Sequence, residues 1–227
     1  IVITESLSAY QSALLGGPHD WLPRLDAMAK ANHYFTHFYA NGFTTDGGEA
    51  EIFTGRPPLI PPGSEWYALD AFGPGPDTLP GIAHRAGYSI EYFTTASLAF
   101  LNTGAWLHGL NFDAVEGGEN PYYSAMRHWQ FGAAEDSALF DRFEQWLDAR
   151  HDQRPFVAVL LTVSSHPPFV NPRTGKIDPA GTFRYVDDQL VDFHDALARR
   201  GFLDNGILMI TGDHHAMTPI DPREYAK

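Results

Sequence analysis

The stretch Phe156-Val157-Ala158-Val159-Leu160-Leu161-Thr162-Val163 decides the fold. It carries no charge in eight residues. A run this short and apolar on both faces predicts a strand buried between two layers. It leads into the polar loop Ser164-Ser165-His166-Pro167-Pro168-Phe169. Downstream, Phe183, Val186, Leu190, Phe193 and Leu197 recur at helical spacing, and Gly201 after Arg199-Arg200 is the stop signal. Ile207 to Thr211 then reads as the last strand. Upstream, Asp136 to Arg150 reads as an amphipathic helix with Leu139, Phe140, Phe143, Trp146 and Leu147 on one face. Tyr88 to Thr94 reads as a strand, and Leu79 to Ala86 as a helix closed by Gly87. Between these and the long helix, Ser97 to Tyr123 is Gly- and Asn-rich and reads as mostly irregular.

Nearer the N-terminus, Ile1 to Thr4 predicts a strand, Trp21 to Asn32 a helix and Tyr34 to Tyr39 a second strand. Thr44 to Phe53 opens a helix, with Asp46 and Glu49 suited to its first turn. Arg56 to Gly81 is a Pro- and Gly-rich surface excursion. Strands alternating with helices predict an α/β fold, a mainly parallel central sheet with helices on both faces. Functional groups should then gather beyond the carboxyl ends of the strands.

Composition sets the outer limits. The chain has 227 residues, 44% of them hydrophobic and 19% charged, with a net charge of −13. That is globular and suits one domain, residues 1–227. The acidic balance argues against a nucleic-acid partner, which needs a basic face. The absence of cysteine excludes disulfides, zinc–thiolate sites and cysteine nucleophiles. No apolar run reaches the roughly 18 residues of a membrane span, and no signal peptide is visible. The chain opens inside a strand and stops soon after another, so it reads as a C-terminally truncated piece of a longer protein.

Polar groups follow four predicted strands. Glu5 follows the first, and Asn41-Gly42-Phe43-Thr44-Thr45-Asp46 the second. Ser165-His166 follows the apolar strand, and Gly212-Asp213-His214-His215 the last. Each alone has an ordinary reading as a cap, turn or loop residue; together, at the same ends of parallel strands, they converge. Two carboxylates and an imidazole suit a divalent cation. A threonine hydroxyl beside a dication and a helix N-terminus becomes a nucleophile, and the same helix end offers N–H groups to an anion. Gly42, Gly47 and Gly48 let a tetrahedral oxyanion come close to the backbone.

At these residues the sequence resembles the alkaline phosphatase/sulfatase superfamily, above all its membrane-anchored lipoteichoic acid synthase-like branch. The resemblance implies the superfamily's fold. It also implies transfer of a phosphoglycerol or phosphoethanolamine headgroup from a phospholipid to a glycan or polymer hydroxyl, on the extracytoplasmic face of a bacterial membrane. The expected cofactor is one divalent ion, Mn²⁺, Mg²⁺ or Zn²⁺, held by Glu5, Thr44, Asp213 and His214. By register Thr44 takes the nucleophile's place; His166 matches a phosphate-contacting histidine, and Thr45 and His215 become substrate contacts. Ile52-Phe53-Thr54-Gly55-Arg56 resembles a sulfatase ending whose spacing favours Thr45 as nucleophile instead. No Cys or Ser followed by Pro and Arg occurs there, which argues against formylglycine chemistry. The branch's headgroup-holding Trp and Arg are missing from Phe100-Leu101-Asn102-Thr103, leaving Asn102, Trp106 and His108 as candidates. The alternatives are a hydrolase that uses water as acceptor and a non-catalytic anion-binding domain. Outside the motifs, His33, His37, His84, His128, His151 and His194 lack a partner motif, Trp66, Trp106 and Trp129 read either as lining for a sugar or lipid headgroup or as surface aromatics, and Asp187-Asp188 reads as solvated.

Overall fold

The computed structural model describes residues 1–40, 42–58, 60, 68–215, 217 and 218. Asn41 and Trp66 lie outside the described residues. Five strands, β1 (Val2–Thr4), β2 (Ser89–Thr94), β3 (Ala114–Glu116), β4 (Phe156–Leu161) and β5 (Ile210–Gly212), form one sheet in the order β3-β2-β4-β1-β5. Every pairing is parallel. The register sets Val2 opposite Leu160 on one side and Ile210 on the other. Among the described residues six α-helices accompany the sheet: α1 (Pro23–Lys30), α2 (Thr45–Thr54), α3 (Leu79–Arg85), α4 (Thr103–Gly109), α5 (Asp136–Ala149) and α6 (Pro179–Arg199).

Strand residues alternate between two cores, as side chains on a pleated strand must. Ile3, Ile90, Tyr92, Val159 and Leu161 pack with Ala50, Phe53, Ala83 and Leu107 from α2, α3 and α4. Val2, Phe93, Ala158 and Leu160 pack on the other face with Leu139, Phe143, Val186 and Leu190 from α5 and α6. Helices therefore cover both faces, and β4 is apolar throughout because both of its faces are buried.

Three predicted stretches differ. Tyr34 to Tyr39 forms no strand, and Phe35 and Tyr39 are 74% and 75% exposed. Both edges of β1 are taken by β4 and β5, and this aromatic run pairs with no strand. The Ser97–Tyr123 region is more ordered than its composition implies. It holds α4, which buries Trp106 and Leu107, and β3, which pairs with β2. The last strand starts at Ile210 rather than Ile207, because β1 pairs only from Val2 and leaves Ile207 81% exposed.

Two features set the geometry of the rim. Asp187 of α6 is buried, not solvated; its carboxylate accepts the N–H groups of Arg24 (3.0 Å) and Leu25 (2.7 Å) at the start of α1. It acts as that helix's N-cap from another element, since Leu22 offers no capping side chain. At the start of α5, Asp136 accepts the N–H groups of Val163 and Ser164, both at 2.9 Å. That bond fixes the loop leading from β4 to His166.

Candidate metal centre and nucleophile helix

The adjacent strands β4, β1 and β5 end at the same rim, where Glu5, Asp213 and His214 meet. A ligand atom from each lies within 4.8 Å of the others, and all three residues are buried. Glu5 is fixed from four sides. Its N–H donates to Thr162 Oγ1 (3.1 Å), its carbonyl accepts the Ser165 hydroxyl (2.6 Å), and its carboxylate accepts Ser6 (2.6 Å) and Thr45 (3.0 Å). Asp213 Oδ1 accepts the N–H groups of Ser6 and His214, both at 2.9 Å. Ser6, in the left-handed region at φ 55°, thereby ties the ends of β1 and β5 together.

The remaining atoms point at each other. His214 Nδ1 lies 2.8 Å from the His215 carbonyl, so it carries the hydrogen and presents Nε2 to the cluster. Nε2 lies 3.2 Å from Glu5 Oε1 and 3.3 Å from Asp213 Oδ2. Neither Nε2 nor Asp213 Oδ2 has an aligned hydrogen-bond partner, although both are buried. Buried polar atoms are nearly always paired, so convergence without pairing is the mark of a cation site.

Charge tells the same story. Burial and the nearby Glu5 push the Asp213 carboxyl above its ordinary value. Burial works against the His214 imidazolium, but Glu5 and Asp213 outweigh it and raise the imidazole. Burial also works to raise Glu5, yet His214, Ser6 and His166 leave it below the usual carboxylate range. Two buried carboxylates thus favour a positive charge between them.

The start of α2 faces the trio. Thr44 is the N-cap residue in extended conformation, its side chain makes no cap bond, and its carbonyl accepts Gly48 N–H at 3.0 Å. The Thr44 hydroxyl donates to Asp46, whereas the Thr45 hydroxyl donates to Glu5. Thus Thr45 touches a member of the trio directly, and Thr44 stands beside it on the helix end. Close backbone packing brings the helix in: a Cβ on Gly48 would collide with the Asp213 carbonyl oxygen, and one on Gly42 with the Gly48 nitrogen. These two glycines allow close contact between backbone segments.

The other sequence candidates lie around this centre. His166 is half-buried, with Nδ1 at 2.6 Å from the Pro167 carbonyl and its ring 4.6 Å from that of Phe131. His215 is exposed; it gives its carbonyl to His214 and its ring to Phe43. Asn102 is exposed and left-handed (φ 57°), and it lines a cleft with Asp46 rather than joining the trio. Thr44 follows an irregular segment instead of a strand. The hydroxyls of Ser6, Thr162 and Ser165, which hold Glu5, were not picked out from the sequence; their one signal is that they flank the ends of β1 and β4.

A family model for the sulfatases matches residues 1–226. The chain belongs to the sulfatase family. Within this family it is similar to a lipoteichoic acid synthase of Staphylococcus saprophyticus, 32% identical over 79 residues, which are 30% of this chain and 12% of that protein. An alkaline phosphatase superfamily protein from Vibrio parahaemolyticus has the same fold, with a TM-score of 0.80 at 23% identity over 97% of this chain and 55% of the other. The lipoteichoic acid synthase LtaP from Listeria monocytogenes gives 0.79 at 19% identity over 99% of this chain and 58% of the other. This sulfatase-family chain therefore spans a little over half the length of those solved relatives. No helix among the described residues is long and apolar enough to cross a membrane.

Proposed function

We propose that this chain carries the catalytic centre of a metal-dependent transferase. It moves a phosphoglycerol- or phosphoethanolamine-type headgroup from a phospholipid to a glycan or polymer hydroxyl through a phosphothreonine intermediate. The observation that carries this reading is the buried convergence of Glu5, Asp213 and His214 beside the N-terminus of α2, with Asp213 Oδ2 and His214 Nε2 left unpartnered. The similarity to lipoteichoic acid synthases supports it, and a phospholipid donor would be met at the extracytoplasmic face of a bacterial membrane.

The residues present fit a divalent ion. Two carboxylates and an imidazole give a mixed oxygen and nitrogen donor set suited to Mn²⁺, Mg²⁺ or Zn²⁺. Glu5, Asp213 and His214 would hold it, with the Thr44 hydroxyl as a fourth donor. When bound, a dication neutralises the clustered charge and lowers the pKa of a hydroxyl beside it.

The chain's own groups supply the rest. Asp46 holds the hydroxyl hydrogen of Thr44 and is placed to take that proton. The free N–H groups of the first turn of α2 receive the phosphate oxygens. Thr44 Oγ bonds to phosphorus as the bond to the lipid alcohol breaks, and the alcohol leaves with a proton. The acceptor hydroxyl then bonds to phosphorus, loses its proton and frees Thr44. His166, held by Phe131, serves the alcohol that departs and the hydroxyl that enters.

Headgroup-labelled phosphatidylglycerol and phosphatidylethanolamine, incubated with the chain and Mn²⁺ and followed by peptide mapping, test the reading. Label on Thr44, lost in Thr44→Ala, is expected. Label on Thr45 would move the nucleophile, and absence of both label and headgroup release from either lipid would remove the reading. Running the reaction with and without a glycan acceptor separates transfer from hydrolysis.

A further inference from the structure

A cleft of about 510 Å³ opens beside the nucleophile, between the first turn of α2 and the segment Leu101–Gly109. Asp46 forms one wall, Asn102 and Trp106 another, and Phe72 contributes to the lining. Among the described residues no Lys, Arg or His lines it. Among the described lining residues Asp46 brings the only charge, and that charge is negative. A phosphate would find repulsion there and no cation to offset it. The donor's anionic group therefore belongs at the trio and the end of α2, and the cleft takes something else.

The features of the cleft point to a neutral, hydroxyl-rich ring. A carboxylate and an amide at its edge accept from and donate to ring hydroxyls, and the exposed faces of Phe100 and Phe131 beside it suit the C–H faces of such a ring. The Asn102 side chain makes no capping hydrogen bond and is exposed, so it is free to do so. Toward His166 the surface continues without a break. Phe100, next to Leu101, packs on Phe131 at 5.0 Å, and Phe131 meets the His166 ring at 4.6 Å. Phe100 and Phe131 are 47% and 38% exposed. The rim thus runs from the partner of Thr44, along an aromatic wall, to the histidine on the alcohol side.

We infer that this cleft and its Phe100–Phe131 wall form the acceptor site, and that the acceptor it selects is a neutral sugar ring. This rests on the transferase reading above for the word acceptor, but the binding of a sugar can be measured without any donor. Saturation-transfer NMR of the chain with maltotetraose and with cellotetraose tests it, with glycerol 3-phosphate as the anionic control. At least one tetrasaccharide should receive magnetisation from aromatic protons. Asn102→Ala and Phe131→Ala should each weaken its affinity about tenfold. Both side chains are exposed, and unchanged thermal unfolding verifies that the variants fold. The same variants should shift the partition of released headgroup from the saccharide towards water by a similar factor.

Failure of both saccharides to bind, binding unaltered in both variants, or an unaltered partition would overturn the inference. So would glycerol 3-phosphate displacing the saccharide from the cleft. If the wild-type chain binds a saccharide yet releases no headgroup from either lipid, the transferase reading fails while a sugar site stands.

Discussion

Two buried acids of this molecule have opposite surroundings. Asp187 spends both oxygens on the backbone N–H groups of Arg24 and Leu25 and holds α1 in place. Asp213 spends Oδ1 in the same way, on Ser6 and His214, but leaves Oδ2 buried and unpartnered against His214 and near Glu5. Both are 2% exposed or less, so burial alone does not separate a structural acid from a functional one. What separates them is where the lone pairs go. The oxygens of Asp187 are taken up by backbone N–H groups, whereas Asp213 Oδ2 is left facing an imidazole and a second carboxylate.

If that distinction holds, substitutions on the two sides should act on different observables. Glu5→Gln should lower turnover by about 10⁴-fold or more, because a neutral amide cannot balance a dication, with little loss of folded protein by circular dichroism. Wild-type turnover in this variant would put the trio among the structural acids.

Glu49, one turn along α2 from Thr45, sharpens the contrast. Its carboxyl is pushed up to about 8, chiefly by burial, against the pull of the Tyr92 hydroxyl at 2.7 Å; the nearby Asp213 and Glu5 add to the rise. An acid raised from 4.5 to about 8 binds its proton more tightly when folded. Its contribution is therefore complete below pH 4.5 and is lost as pH rises towards 8, by up to about 5 kcal/mol. Urea titrations of the metal-free chain should show stability falling across that window, and Glu49→Gln should flatten the slope. An equal slope in the variant would show that Glu49 is not held neutral. The smallest expected effect is on the structural side. Asp187→Ala should cost about 1–2 kcal/mol by unbinding the start of α1, while activity per folded molecule stays within about twofold.

The contrast also explains what was legible in the sequence. The strand β4 and helices α5 and α6 were readable because their apolar residues recur at the spacing of a strand or a helix that buries a face. Glu5, Asp213 and His214 were readable because strand ends in a parallel sheet share a rim. Tyr34 to Tyr39 has the composition of a strand but pairs with none, and pairing is a property of the whole sheet. The helix α4 lies between glycines and is stabilised by burying Trp106 and Leu107, which no local pattern reveals. Asp187 was invisible for the same reason. It lies on an amphipathic helix next to Asp188, which does face outward to Arg24 and Arg173, and only the docking of α1 distinguishes the two. The hydroxyls around Glu5 belong to residues common in any loop, so their role follows from distance alone.

The central claim is that Glu5, Asp213 and His214 are poised for a dication, and thermal unfolding of wild type and Asp213→Asn with and without metal tests it most directly. Asn keeps an oxygen for the two N–H groups and removes the like charge beside Glu5. The account predicts that at pH 8, without metal, the variant is more stable than wild type by about 1–3 kcal/mol. Saturating Mn²⁺ or Zn²⁺ should then reverse the order, since an ion at about 1,000 times its Kd stabilises the folded state by about 4.1 kcal/mol. A wild type that gains nothing from Mn²⁺, Mg²⁺ or Zn²⁺, or a variant that gains as much, would contradict it.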